Sequence, residues 1–241
     1  MSPCNRRSIR LTLTAALALS LSACGGDEVK YEPRPAYTGP KASLPPVPNV
    51  PKKPIKQGDS YTIWGASYSL RSRVHKKDVA GKKITLTGYI VKTNITDAPA
   101  CAVHKGGKAD PPDCKAPVPA FWIADTKDAK IEDSIKVMGW ASNFAQIYDA
   151  IKEYDGPKKP LQDGEKDEGY TDTFWGVKIP DPLPAVGAKV SVSGTYSTTF
   201  TQSSTGAEAD PFMGLMAYQE MKELEPAPEL ATLPGVKRKA K

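Results

Sequence analysis

Cys101 and Cys114 stand with 12 residues between them, and His104 lies just inside the pair, in Cys101-Ala102-Val103-His104. Two thiols and an imidazole so placed admit a disulfide, a metal site or covalent haem attachment. Haem attachment needs C-x-x-C-H, and the second cysteine is missing here. A thioredoxin-like C-x-x-C is absent too. Zinc needs four ligands, and the segment offers three, with Asp110 or Asp113 as a local fourth. A disulfide needs nothing more. It would close a loop rich in Gly106, Gly107, Pro111 and Pro112, and the chain-entropy account gives such a link about 3 kcal/mol.

Other chemistry has little to build on. His75 and His104 are the two histidines, and neither lies near a G-x-S-x-G nucleophile elbow. His75, in Arg71-Ser72-Arg73-Val74-His75-Lys76-Lys77, reads as part of a solvated basic stretch. Paired carboxylates of the glycosidase kind can meet from anywhere in a chain. The 23 acids between residues 58 and 226 single out no two of them. The residues therefore predict no catalytic group, no metal and no cofactor. Among the tryptophans, Trp122 and Trp140 sit in apolar runs and are expected in the core. Trp64, in Ile63-Trp64-Gly65, and Trp175, in Phe174-Trp175-Gly176, are expected to reach a surface and to serve as ligand contacts.

At the start of the chain Arg6, Arg7 and Arg10 precede an apolar run, Leu11 to Ala23, too short to span a bilayer. A positive start, a short apolar stretch and a small-residue exit describe a secretory signal peptide. Its ending, Leu21-Ser22-Ala23-Cys24, resembles the lipobox of bacterial lipoproteins. The resemblance implies cleavage before Cys24 and a lipid anchor on its thiol. Gly25, where an Asp would favour the inner membrane, implies an outer-membrane lipoprotein facing the periplasm or the surface. Cys4 then leaves with the signal and Cys24 carries lipid, so Cys101 and Cys114 remain in an oxidising compartment. One disulfide between them is the expectation.

The net charge of +6 dissolves when divided along the chain. Residues 58–226 hold 20 Lys/Arg and 23 Asp/Glu, so the basic excess lies in the ends. A nucleic-acid-binding domain concentrates positive charge on its fold, so no nucleic-acid partner is expected. Residues 24–57 carry prolines at 33, 35, 40, 45, 46, 48, 51 and 54 and read as a semi-rigid linker behind the lipidated cysteine. The last stretch, 227–241, reads as a disordered basic tail ending Lys237-Arg238-Lys239-Ala240-Lys241.

Between these ends, over 58–226, strand patterns dominate. Ile84, Leu86, Gly88 and Ile90 alternate with Thr85, Thr87, Tyr89 and Val91. Ala120 to Ala124, Ile135 to Ala141, Phe174 to Ile179 and Gly214 to Leu224 also read as strands. Val190, Val192, Gly194 and Tyr196 repeat the alternation. Phe144, Ile147, Tyr148 and Ile151 fall on one helical face, with Asn143 and Gln146 resembling a capping box and Asp155-Gly156-Pro157 ending the helix. The loop from Lys158 to Thr173 is too charged for a core. Two strand starts echo each other: Val79-Ala80-Gly81-Lys82-Lys83-Ile84-Thr85-Leu86-Thr87-Gly88 and Ala185-Val186-Gly187-Ala188-Lys189-Val190-Ser191-Val192-Ser193-Gly194. Glycine inside a strand marks a bulge or a barrel bend.

Long first and fourth strands with internal glycines, one helix midway and a closing strand resemble an OB-fold, a small five-stranded Greek-key barrel. The fold expectation is therefore a mainly β, OB-like barrel with one helix. Fold alone assigns no function. Taken with the lipobox, it implies a non-catalytic binding or scaffolding module, anchored to the envelope, for an envelope protein or a cell-wall glycan. In such a barrel the first inter-strand loop flanks the ligand face, which makes His104 and Lys105 contact candidates on the Cys101–Cys114 loop. The rivals are a hydrolase of envelope polymers using scattered carboxylates, and a subunit that only stabilises an envelope complex.

Overall fold

The unit that begins at Val50 opens with a two-residue hairpin, β1 (Lys56–Gln57) and β2 (Ser60–Tyr61), followed by helices α1 (Ile63–Arg71) and α2 (Lys76–Val79). Strands β3 (Lys82–Thr93), β4 (Ala120–Ala124) and β5 (Ile135–Met138) lead to helix α3 (Phe144–Tyr154). Strand β6 (Lys189–Ser197), a hairpin of β7 (Thr199–Phe200) and β8 (Glu208–Ala209), and β9 (Leu215–Glu225) complete it. The computed structural model describes residues 32–40, 53–156, 169–201 and 207–238. The chain up to Asn49 forms a separate unit, of which residues 32–40 are exposed and without regular secondary structure. The signal segment, Cys24 and most of the Pro-rich linker lie outside the described residues.

Five strands close the barrel. β3 pairs antiparallel with β4, β4 with β5, and β6 with both β9 and β3; β5 and β9 run parallel. This is the mainly β, five-stranded barrel that the alternating runs predict, with the helix α3 between its third and fourth strands. Ile84, Leu86, Gly88 and Ile90 point inward, as do Val190, Val192, Gly194 and Tyr196. The two echoed motifs are paired with each other. Leu86 opposes Val192 at the centre, Ile84 opposes Gly194, and Gly88 opposes Val190. A Cβ on Gly88 would lie 2.6 Å from the Ala124 carbonyl oxygen, and one on Gly194 would lie 2.1 Å from that of Ala217. Each glycine thus lets a neighbouring strand close in where the sheet bends.

Burial of the inward side chains drives the assembly, at about 1.5–3 kcal/mol for each fully buried large apolar residue. Phe121, Ile123 and Val137 meet Val192 and Met216 in one core, and Phe144, Ile147 and Ile151 of α3 plug it. The Asn143 side chain accepts from the Gln146 N–H, as a cap should. The Gln146 side chain does not reach back to complete a capping box. Its Oε1 accepts instead from the Tyr170 hydroxyl and from the Thr173 N–H and hydroxyl.

Several expectations are corrected. The described residues hold three α-helices where one helix was expected. α1 forms because Ile63, Ala66 and Leu70 bury one face, and Thr62 caps it by accepting from the Gly65 N–H. Phe174 to Ile179 is a turn with a single bridge, Thr171 to Lys178, because a buried carboxylate gathers its amides. The barrel also takes in chain on both sides of residues 58–226. Upstream, the Pro54 and Ile55 carbonyls accept from Thr62. Downstream, Ala231 and Leu233 are buried in the core, and Arg238 lies 3.5 Å from Asp155 and 3.8 Å from Asp181. Ala231, Leu233 and Arg238 thus hold this stretch to the barrel, and 239–241 lie outside the described residues.

Candidate ligand-binding face

The site begins with a strand that is apolar on both sides. In Ala120-Phe121-Trp122-Ile123-Ala124, Phe121 and Ile123 enter the core, so Ala120 and Trp122 face outward. Their cross-strand neighbours Lys136 and Met138 on β5, and Leu215 and Ala217 on β9, face outward with them. A second, smaller cluster results on the outside of the barrel, made by Ala120, Met138, Leu215 and Phe200. Phe200 comes from the β7–β8 hairpin and is nearly fully buried there. It rests on Gly139, where a Cβ would sit 3.3 Å from its ring. Trp175 packs edge-on against Phe200, with ring centroids 6.5 Å apart.

Trp122 is half-buried at the edge of this cluster, which corrects its expected place in the core; Trp140 is fully buried as expected. Lys92 on β3 and Lys136 on β5 are its cross-strand partners. Their ammonium nitrogens lie 5.1 Å and 5.2 Å from the indole ring centroid. Cations at that range are held by the ring quadrupole. Lys136 also donates to the Glu208 carboxylate of β8 at 2.5 Å. The result is an aromatic platform with a positive charge on each neighbouring strand. It can stack a flat ring and attract an anionic group. Nothing in the spacing of Trp122 within an all-apolar run reveals this, because the partners Lys92 and Lys136 are distant in sequence.

The first loop of the barrel is closed at its base by Asn94, which donates to the Val118 carbonyl and accepts from the Ala120 N–H, each at 2.8 Å. Within it the Cys101–Cys114 disulfide is formed, with Cα atoms 5.9 Å apart. Both thiols are consumed by it, so they offer nothing to zinc. No group of three metal-ligating side chains occurs among the described residues. His104 is less free than expected of a contact residue. Its Nδ1–H donates to the Lys105 carbonyl and its Nε2 meets Asp110 Oδ1, both at 2.9 Å. The Lys105 carbonyl, then Asp110, raise the pKa of this imidazole above 6.5, because both ring nitrogens face acceptors. Lys105 is exposed. The Gly106 N–H donates to Asp149 of α3 at 3.0 Å and so docks the loop on the helix.

The other predicted contacts are not gathered at one point. Trp64 lies in α1, stacked on Tyr68 with centroids 5.0 Å apart. Asp125, just after β4, accepts from the Ile63 and Trp64 N–H groups at 2.7 and 2.9 Å and completes the start of that helix. Trp175 owes its position to Asp172, which sequence reasoning left unmarked. This fully buried carboxylate accepts from the Phe174 and Trp175 N–H groups and from both the N–H and the hydroxyl of Ser142, at 2.7–2.9 Å. An Asp two residues before the amides it captures is the local signal for such a turn.

Clefts of about 360, 660 and 440 Å³ occur among the described residues. The first is bordered by Tyr89 and Asp125, the second by Asp181 and Glu220, and the third by Thr96 and residues 232–237. Two acids share the second cleft, and one of them, Asp181, lies beside Arg238. No protein-family model matches the chain, and no curated protein matches it in sequence.

Proposed function

We propose that this chain is a lipid-anchored envelope protein whose barrel is a non-catalytic binding module for cell-wall glycan. The observation that carries the reading is Trp122 with Lys92 and Lys136 on either side of it, on the outer face of β4 and β5. In OB-like barrels that face, flanked by the loops after the first and fourth strands, is where ligands bind. Here those loops are the disulfide-closed segment and the β7–β8 hairpin. A sugar ring suits the indole, and the carboxylates of acidic sugars or attached peptides suit the lysines. Leu21-Ser22-Ala23-Cys24 supports anchoring through lipid on Cys24, and the disulfide accords with an oxidising compartment. No helix among the described residues is long and apolar enough to cross a membrane.

A second reading, an envelope protein as partner, draws on Phe174 and Phe212, which are 68% and 56% exposed. Crosslinking the intact protein in envelopes separates the two. Recovery with solubilised glycan supports the first reading, and recovery with a single protein that survives glycan digestion supports the second. Labelling with radioactive palmitate, lost in Cys24→Ser, tests the anchor.

A further inference from the structure

A second lysine–aromatic–lysine unit stands beside the first. Tyr89 of β3 faces outward and is half-buried, with Lys127 and Lys189 Nζ atoms 5.1 Å and 5.4 Å from its ring centroid. Its cross-strand partner on β4 is Ala124. Trp122, two residues along the same face, is therefore its diagonal neighbour, a relation that places side chains about 7–8 Å apart. Tyr89 borders a cleft, the one of about 360 Å³, which falls in the range of small-ligand sites.

The charge of this cleft favours an anion. Its acid, Asp125, is turned onto the first amides of α1, where the helix terminus offsets its charge. Lys189 is shared with Glu225 at 2.9 Å. Lys53 in the wall and Lys127 over the ring have no ion-pair partner among the described residues. Hydroxyl-bearing Thr87 and Thr126 line the remainder.

We infer that this cleft is a second subsite, for an acidic sugar: the ring stacks on Tyr89, the carboxylate pairs with Lys53 and Lys127, and sugar hydroxyls meet Thr87 and Thr126. Together with the Trp122 platform, on whose glycan-binding role the continuity rests, the face then holds two successive units of one anionic polymer. The test uses the full-length protein in detergent and calorimetric titration with hyaluronan disaccharide and hexasaccharide, with neutral chitin oligomers and eight-residue oligothymidylate alongside. The hexasaccharide is expected to bind roughly tenfold more tightly than the disaccharide, because the second contact is intramolecular. Tyr89→Ala should remove that gain, and so should Lys127→Glu, which alters an exposed side chain. Loss of the gain in both variants while Trp122→Ala keeps it would uphold the cleft and overturn the Trp122 reading. The reverse pattern would overturn the cleft. Equal binding of both lengths, absence of hyaluronan binding, equal binding of the chitin oligomers, or tighter binding of oligothymidylate would each overturn the inference.

Discussion

Trp122 and Lys136 face each other across the β4–β5 ladder, and Lys136 divides its charge between the indole, 5.2 Å away, and the Glu208 carboxylate, 2.5 Å away. In the proposed glycan complex Glu208 would compete with the ligand's anionic group for Lys136. Glu208→Gln should strengthen binding of an anionic ligand about three- to tenfold, with the gain shrinking at high salt. Stability should change by no more than about 1 kcal/mol, since partly exposed pairs contribute little. Binding measured at two salt concentrations, beside denaturant unfolding, checks both parts. A fall in affinity would make Glu208 a ligand contact.

The disulfide closes a loop whose base Asn94 already holds and whose Gly106 is docked on Asp149. Cys101→Ser/Cys114→Ser should lower unfolding free energy by about 3 kcal/mol or less. It should weaken partner binding more than it unfolds the barrel, because the loop's freedom would then be lost on binding. Parallel denaturation and binding curves decide this. Unchanged binding would leave the loop as plain surface.

His104 reports on the same loop. Its pKa is raised in the folded state by the Lys105 carbonyl and by Asp110, so the imidazolium stabilises the fold. That contribution is fully present below pH 6.5, the ordinary value, and is lost as pH climbs through the raised folded value. An NMR titration should place the His104 midpoint above 6.5. Asp110→Asn should lower it only in part, because the Lys105 carbonyl remains.

Asp172 should be the costliest polar residue to remove. Four donors converge on it in a fully buried setting, and an abandoned buried donor costs about 1–3 kcal/mol. Asp172→Ala should cost about 3 kcal/mol or more, read by urea unfolding, and should release the Phe174–Trp175 turn, read by tryptophan fluorescence.

Which parts of this were legible follows from how each residue is buried. β3 and β6 could be read because their inner residues are apolar and their outer ones polar, so period two is visible. Helix α3 could be read because Phe144, Ile147 and Ile151 line one face. β4 could not be oriented: Ala120 and Trp122 are apolar on the outside because Phe200 covers one and lysines flank the other. Helix α1 escaped because its stability comes from afar, with Asp125 supplying the first-turn acceptor from about 60 residues away. The Trp64 and Tyr68 spacing, four apart with Ile63 and Leu70 nearby, was the available sign. The final segment read as a free basic tail because Ala231 and Leu233 are isolated apolar residues whose partners lie elsewhere in the chain.

We propose that the outer face of β4 and β5 grips glycan through Trp122. Co-sedimentation of the full-length protein with purified cell-wall sacculi, comparing wild type with Trp122→Ala, is the decisive measurement. Loss of one stacking platform is expected to cost about 1–3 kcal/mol, hence roughly a tenfold or greater fall in the bound fraction at limiting sacculi, under conditions where unfolding curves show both proteins folded. Equal sedimentation of the two proteins, or no sedimentation of wild type, would rule out glycan binding through Trp122.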